Sequence, residues 1–283
     1  MDGAQTTRTR GMVFVTLTAA AIAGTALLPR VAQPESYHHF ADTRTLLGMP
    51  NALNVLSNLP FLIVGLMGLW WMWRTATHPS KGGAGGAPIS IHFRDPLERW
   101  PAGAVFAGLL TTGIGSAYYH LQPSSQTLVF DRLGMVVGFM AILPMAVGER
   151  VSARWGAWLL APMIALGAAS VLYWERSELF GQGDLRWYFL AQAYGFIATA
   201  AVLLGTRAAY DRQVRWLEAI GCYAVAKVFE VLDRPIYSLS GNLVSGHSLK
   251  HVAAALGGWF LLQMLRERRV VAAGESSTAS AAE

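Results

Sequence analysis

The chain predicts an all-α protein, a polytopic bundle of transmembrane helices, on three observations. Of its 283 residues 53% are hydrophobic and only 14% are charged, against about 25% charged in soluble domains. Eight apolar stretches approach or reach the roughly 20 residues that a helix needs to cross a bilayer, at 11–30, 51–73, 101–121, 125–147, 155–174, 187–206, 214–233 and 246–265. Within them, the ionisable residues gather in a few places. Such groups are costly in hydrocarbon and usually mark a site.

The first stretch follows Arg8 and Arg10 and has the charge pattern of a signal peptide. Its apolar run is long and no small-x-small cleavage site follows, so a retained helix is expected. The second opens with Asn51, Asn54 and Asn58, three and four residues apart and therefore on one helix face. Asparagines there can cap backbone and tie helices together, or offer carbonyl oxygen to a hard cation. Between 75 and 100 the run Gly82-Gly83-Ala84-Gly85-Gly86-Ala87-Pro88 reads as a flexible linker. The third and fourth stretches carry His120 and Asp131. The seventh is the weakest, interrupted by Lys227, Glu230 and Asp233. A helix this polar inside a bundle must face the interior, so it is expected to line a cavity. The tail after Arg269 is small and polar and is expected to be disordered. The organisation is therefore an N-terminal tail and helix over 1–35, one helical domain over 36–266, and a tail over 267–283.

Most of the arginines and lysines fall in alternate segments. Arg8, Arg10, Arg74, Lys81, Arg94, Arg99, Arg150, Arg154, Arg207, Arg212, Arg215, Arg266, Arg268 and Arg269 share one side, against Arg30, Arg44, Arg176, Arg186 and Arg234 on the other. By the positive-inside rule both termini are cytoplasmic. His120 then closes an outward span, while Asp131 and His247 open inward ones, so all three fall at the outer end of the bundle. The scattered basic residues form no stripe, which argues against nucleic acid as a partner. Cys222 is the one cysteine. It excludes an intramolecular disulfide and any Cys-rich zinc site, and in its apolar run it reads as packing.

The chemistry-bearing residues are spaced, not scattered. In Gly113-Ile114-Gly115-Ser116-Ala117-Tyr118-Tyr119-His120, Ser116 and His120 are four apart, and Asp131 follows eleven residues later. In Ser245-Gly246-His247-Ser248-Leu249-Lys250-His251, the two histidines are four apart, so both can reach one ion from one helix. Three neutral imidazoles with an open fourth position suit catalytic zinc, and that reading is preferred over packed core histidines. His38, His39, His78 and His92 lie in loops. Ser116 could bond back to the carbonyl one turn earlier or donate to a developing oxyanion. Asp131 could partner Arg132, accept from a histidine N–H, or take a proton as general base. Lys227 and Glu230 read as a neutralising ion pair. Lys250 lies on a different face from the histidines and is expected to meet an interface or a neighbouring carboxylate.

These residues resemble the alkaline ceramidase family, within a superfamily of seven-helix membrane hydrolases that includes the adiponectin and progestin receptor-like proteins. The pattern is an Asn-rich first core helix ending in Ser-Asn, then Ser-x3-His-x10-Asp, then His-x3-His in the last helix. Ser57-Asn58, Ser116, His120, Asp131, His247 and His251 match it in order and spacing, over about residues 40–266. The resemblance implies a seven-helix hydrolase core with the first stretch as an addition. It implies zinc on His120, His247 and His251, with Ser116 and Asp131 beside it. It also implies hydrolysis of a ceramide-like lipid, in contact with membrane lipids, to a sphingoid base and a fatty acid. The alternative within the same fold is a lipid receptor with structural zinc. The family also resembles itself in an acidic calcium site before the first core helix. Here that stretch keeps Asp42, but Asn51 stands where an acidic ligand is expected, so calcium is a weaker expectation than zinc. No oligomeric state follows from these features.

Overall fold

A computed structural model describes residues 3–77 and 92–271. The glycine-rich linker with His78 and Lys81, and the tail beyond residue 271, lie outside the described residues, as do the side chains of Arg8 and Arg10. The described residues form an all-helical bundle in which extended pairing is limited to two isolated bridges, Leu46 with Met49 and Tyr210 with Val270.

Every apolar stretch is helical. The elements are α1 (Gly3–Leu27), α2 (Ala52–Leu56), α3 (Leu59–Thr77), α4 (Arg99–Leu121), α5 (Ser125–Arg150), α6 (Ala153–Leu179), α7 (Arg186–Gly205), α8 (Val214–Val231), α9 (Asp233–Leu239) and α10 (Gly246–Glu267). Among the described residues, four segments are long and apolar enough to cross a membrane: Ala52–Ala76, α5, α6 and α7. In α1 the apolar part is shorter, Val15–Leu27. Trp70, Trp73, Trp155, Trp158, Ile197 and Leu204 are all exposed, an outer surface that lipid would cover more readily than water.

Two expected helices are broken, and proline explains both breaks. A proline has no N–H for the carbonyl four residues back and clashes with it. Pro60 therefore ends α2 at Leu56, and Pro235 ends α8 at Val231. The first break leaves Ser57 and Asn58 between two helices. The second takes Asp233 out of α8 and makes it the first residue of α9.

The strongest packing joins α4 to α5, and small residues permit it. A Cβ on Gly108 would lie 2.1 Å from the Gly138 nitrogen, and one on Gly115 would lie 2.2 Å from the Phe130 carbonyl oxygen. Backbones this close bring Ser116 of α4 level with the start of α5. A capping box at Ser124 and Thr127 starts α5 by satisfying backbone donors that a helix N-terminus leaves free.

Contacts run from α3 to α4, α5 and α7, and from α8 through α10 back to α3. Behind this ring, α6 packs on α5 and α7, while α1 packs on α7. The ring is open between α7 and α8, which do not pack along their length. There Phe196 stacks on Tyr223 with centroids 4.4 Å apart. Inside the ring is a cavity of ≈ 440 Å³, from Ser116 and His251 at one end to Trp216 and Leu261 at the other. The expected lining by the seventh stretch is present, with Lys227 and Glu230 on the wall. The far end of the bundle is closed by Arg268, which is buried and pairs with Glu149 at 3.0 Å and Glu98 at 3.5 Å.

Candidate metal centre and cavity

His120 stands in the last turn of α4, and His247 and His251 in the first turns of α10. All three are buried, and their ligand atoms lie within 4.8 Å of one another. The His120 and His247 Nε2 atoms are 3.2 Å apart. Two ligands on one tetrahedral zinc, each at about 2.0–2.1 Å, stand about 3.3 Å apart, so the donor set fits such an ion. His120 Nδ1 is buried without a partner, and the chemistry of three neutral nitrogen donors suits zinc more than a hard cation.

Each histidine is fixed by its surroundings. Ser57, freed from helix by Pro60, places its hydroxyl 2.8 Å from His251 Nδ1. Holding that nitrogen leaves Nε2 for the cluster, as outer partners of metal-bound histidines do. Asp233 accepts the His247 backbone N–H at 2.8 Å and the Ala41 N–H at 2.9 Å, so α8's continuation, the loop before α2 and α10 meet at one carboxylate. Gly246 is required there, because a Cβ would stand 2.3 Å from the Phe229 carbonyl oxygen. Phe40 packs on the rings of His120 and His247 at 4.6 and 4.5 Å.

The asparagine face ties these parts together. Asn51 donates to the His120 carbonyl at 2.9 Å, Asn54 to the Asp42 carbonyl at 2.9 Å, and Asn58 to the Asn54 carbonyl at 2.8 Å. Asn54 Oδ1 also accepts from Ser248 at 3.0 Å. Of the uses open to these residues, helix tying is the one observed. Asp42 and Asn51 do not fit a calcium site. Arg44 occupies both Asp42 oxygens, at 2.9 and 2.7 Å, and Asn51 directs its amide nitrogen to His120. Burial raises the Asp42 carboxyl's pKa, but the Arg44 hydrogen bonds outweigh it and hold the value below the ordinary one.

Ser116 and Asp131 are buried and line the cavity with His251. Ser116 and Asp131 stand side by side there on α4 and α5. Among the described residues the Ser116 hydroxyl makes no bond to the carbonyl one turn earlier. Asp131 forms no ion pair with Arg132, which turns away onto Trp174, 3.9 Å from that ring's centroid. Lys250 meets a carboxylate on the neighbouring helix as expected, bonding Glu230 at 3.1 Å, and Lys227 binds the same carboxylate. Of the loop histidines, His38 bonds Tyr119 at 2.9 Å, and burial lowers its pKa.

Reasoning from the residues alone missed three contributors. Ser57 entered only through the family pattern, although Pro60 three residues later marks the break that exposes it. Asp233 read as an interruption of a span; Pro235 was the available sign that the helix stops before it. Arg132 read only as a partner for Asp131. No family model matches the chain, and neither the curated proteins nor the solved structures compared with it include a match.

Proposed function

We propose that this chain is an integral-membrane, zinc-dependent amidase that cleaves the amide bond of a ceramide-like lipid, releasing a sphingoid base and a fatty acid. One observation carries the reading: three buried histidines converge beside Ser116 and Asp131 at the polar end of a long apolar cavity. His120, His247 and His251 would hold the metal. Zinc, when bound, supplies Lewis-acid polarisation of a carbonyl and lowers the pKa of water toward ~7.

The chain's own residues do the rest. Asp131 accepts the proton of the attacking water and returns it to the leaving amine nitrogen. Ser116 donates to the oxyanion that forms on the amide carbonyl. The acyl chain lies along Leu109, Phe139, Ile142 and Leu261 of the cavity wall. The open seam between α7 and α8, bridged at one point by the Phe196–Tyr223 stack, is the way in from the bilayer. With eight spans and both termini cytoplasmic, the reading the distribution of basic residues supports, the site would face the outer leaflet.

Asp131→Asn and Ser116→Ala leave the imidazoles in place, so zinc content stays that of the wild type. Fatty acid release from labelled ceramide falls about 10²–10⁴-fold, more for Asp131→Asn because it removes the proton acceptor. Wild-type turnover in both variants, with zinc retained, would make these residues structural and favour the receptor reading.

A further inference from the structure

Arg132 is 3% exposed and lines the cavity beside Asp131. Among the described residues no carboxylate lies within ion-pair distance of it. One guanidinium nitrogen donates to Gln33, while Nη1 has no partner. Its plane is held by aromatic rings, with the guanidinium carbon 3.9 Å from the Trp174 centroid, 4.8 Å from Tyr188 and 5.9 Å from Tyr37. A buried cation without a counter-ion is costly. Asp131 and Glu178 lie near it, but neither forms an ion pair with it.

The other charges at this end do not compensate. Glu230 is shared between Lys227 and Lys250. Arg132, Lys227 and Lys250, from α5, α8 and α10, thus line the cavity together with two carboxylates, Asp131 and Glu230. The guanidinium fork matches carboxylate and phosphate oxygens.

We propose that Arg132 binds an anionic group, carboxylate or phosphate, on the polar head of the amide lipid. Within the ceramide-like class, the favoured substrates are then those that carry an acidic group on the head near the scissile bond, such as a phosphorylated head, with plain ceramide a weaker substrate of the same site. The proposal rests on the amidase reading for the word substrate; the anion site itself does not.

Equilibrium binding to the full chain in nonionic detergent tests it, after chelation removes metal and therefore turnover. The probes are radiolabelled N-oleoylglycine, N-oleoyl-phosphoethanolamine and neutral N-oleoylethanolamine, which separate a carboxylate from a phosphate source. The wild type binds at least one acidic probe about tenfold or more tightly than the neutral one, the scale of a charge-assisted contact. Arg132→Gln abolishes the preference, and Arg132→Lys keeps part of it. Zinc uptake on reloading and the melting temperature report whether the variants are folded. Equal binding of all three probes by the wild type overturns the proposal, whatever the variants do. So does a full preference in Arg132→Gln. Failure to cleave any amide, with the acidic preference intact, would count against the amidase reading alone.

Discussion

At the scale of single residues, the candidate site depends on side chains that hold other side chains. Ser57 touches no ligand position, yet its hydroxyl sets which His251 nitrogen faces the cluster. Losing such an outer partner typically lowers metal affinity about 10–100-fold. Ser57→Ala should therefore weaken zinc binding by about that factor in a chelator competition, with little change in melting temperature. Unchanged affinity would mean that the histidine cluster orients itself. Ser116 with His120, and His247 with His251, were readable because i and i+4 share a face. Ser57 was not, because its role appears only once α2 and α10 are brought together, 194 residues apart in sequence. Arg132 was hidden for a related reason. Neighbours on a helix point in different directions, so its proximity to Asp131 in sequence says nothing of the Trp174 and Tyr188 rings that receive it.

At the scale of elements, periodicity marked the helices and proline marked where two of them stop. The joint between α6 and α7 was not anticipated. Asp184 is wholly buried there and accepts from Arg186 at 2.8 Å twice and from Tyr173 at 3.1 Å. The Arg186 hydrogen bonds hold its pKa below the ordinary carboxylate range. A carboxyl with a depressed folded pKa contributes stability that is present above its unfolded pKa, about 4. That stability is lost as pH falls through the folded value. Asp184→Asn leaves Arg186 without its ion pair and should lower the melting temperature at pH 7. Melting curves of the two proteins should converge below about pH 4. A gap that stays constant to pH 3 would show that the carboxylate's charge is not what holds the joint.

At the scale of the whole molecule, the ring of helices collects at one end residues drawn from α2, α4, α5 and α10. Long, apolar helices and the clustering of site residues at one end were both legible, since helix direction alternates and each residue's place along its helix is known. The open seam between α7 and α8 was not, because no local pattern states which helices fail to meet. The proposed topology predicts that a reporter after Glu283 reads as cytoplasmic and one within 240–245 as external. Labelling of cysteines placed at 82–86 from outside intact cells would contradict it.

The central claim is that the three histidines hold one zinc ion, and metal analysis of the purified chain tests it most directly. The wild type should carry about one zinc per chain. His120→Ala, and the double variant His247→Ala with His251→Ala, should carry none and release no fatty acid from ceramide. Full zinc occupancy in the double variant, in protein that melts like the wild type, would contradict the account.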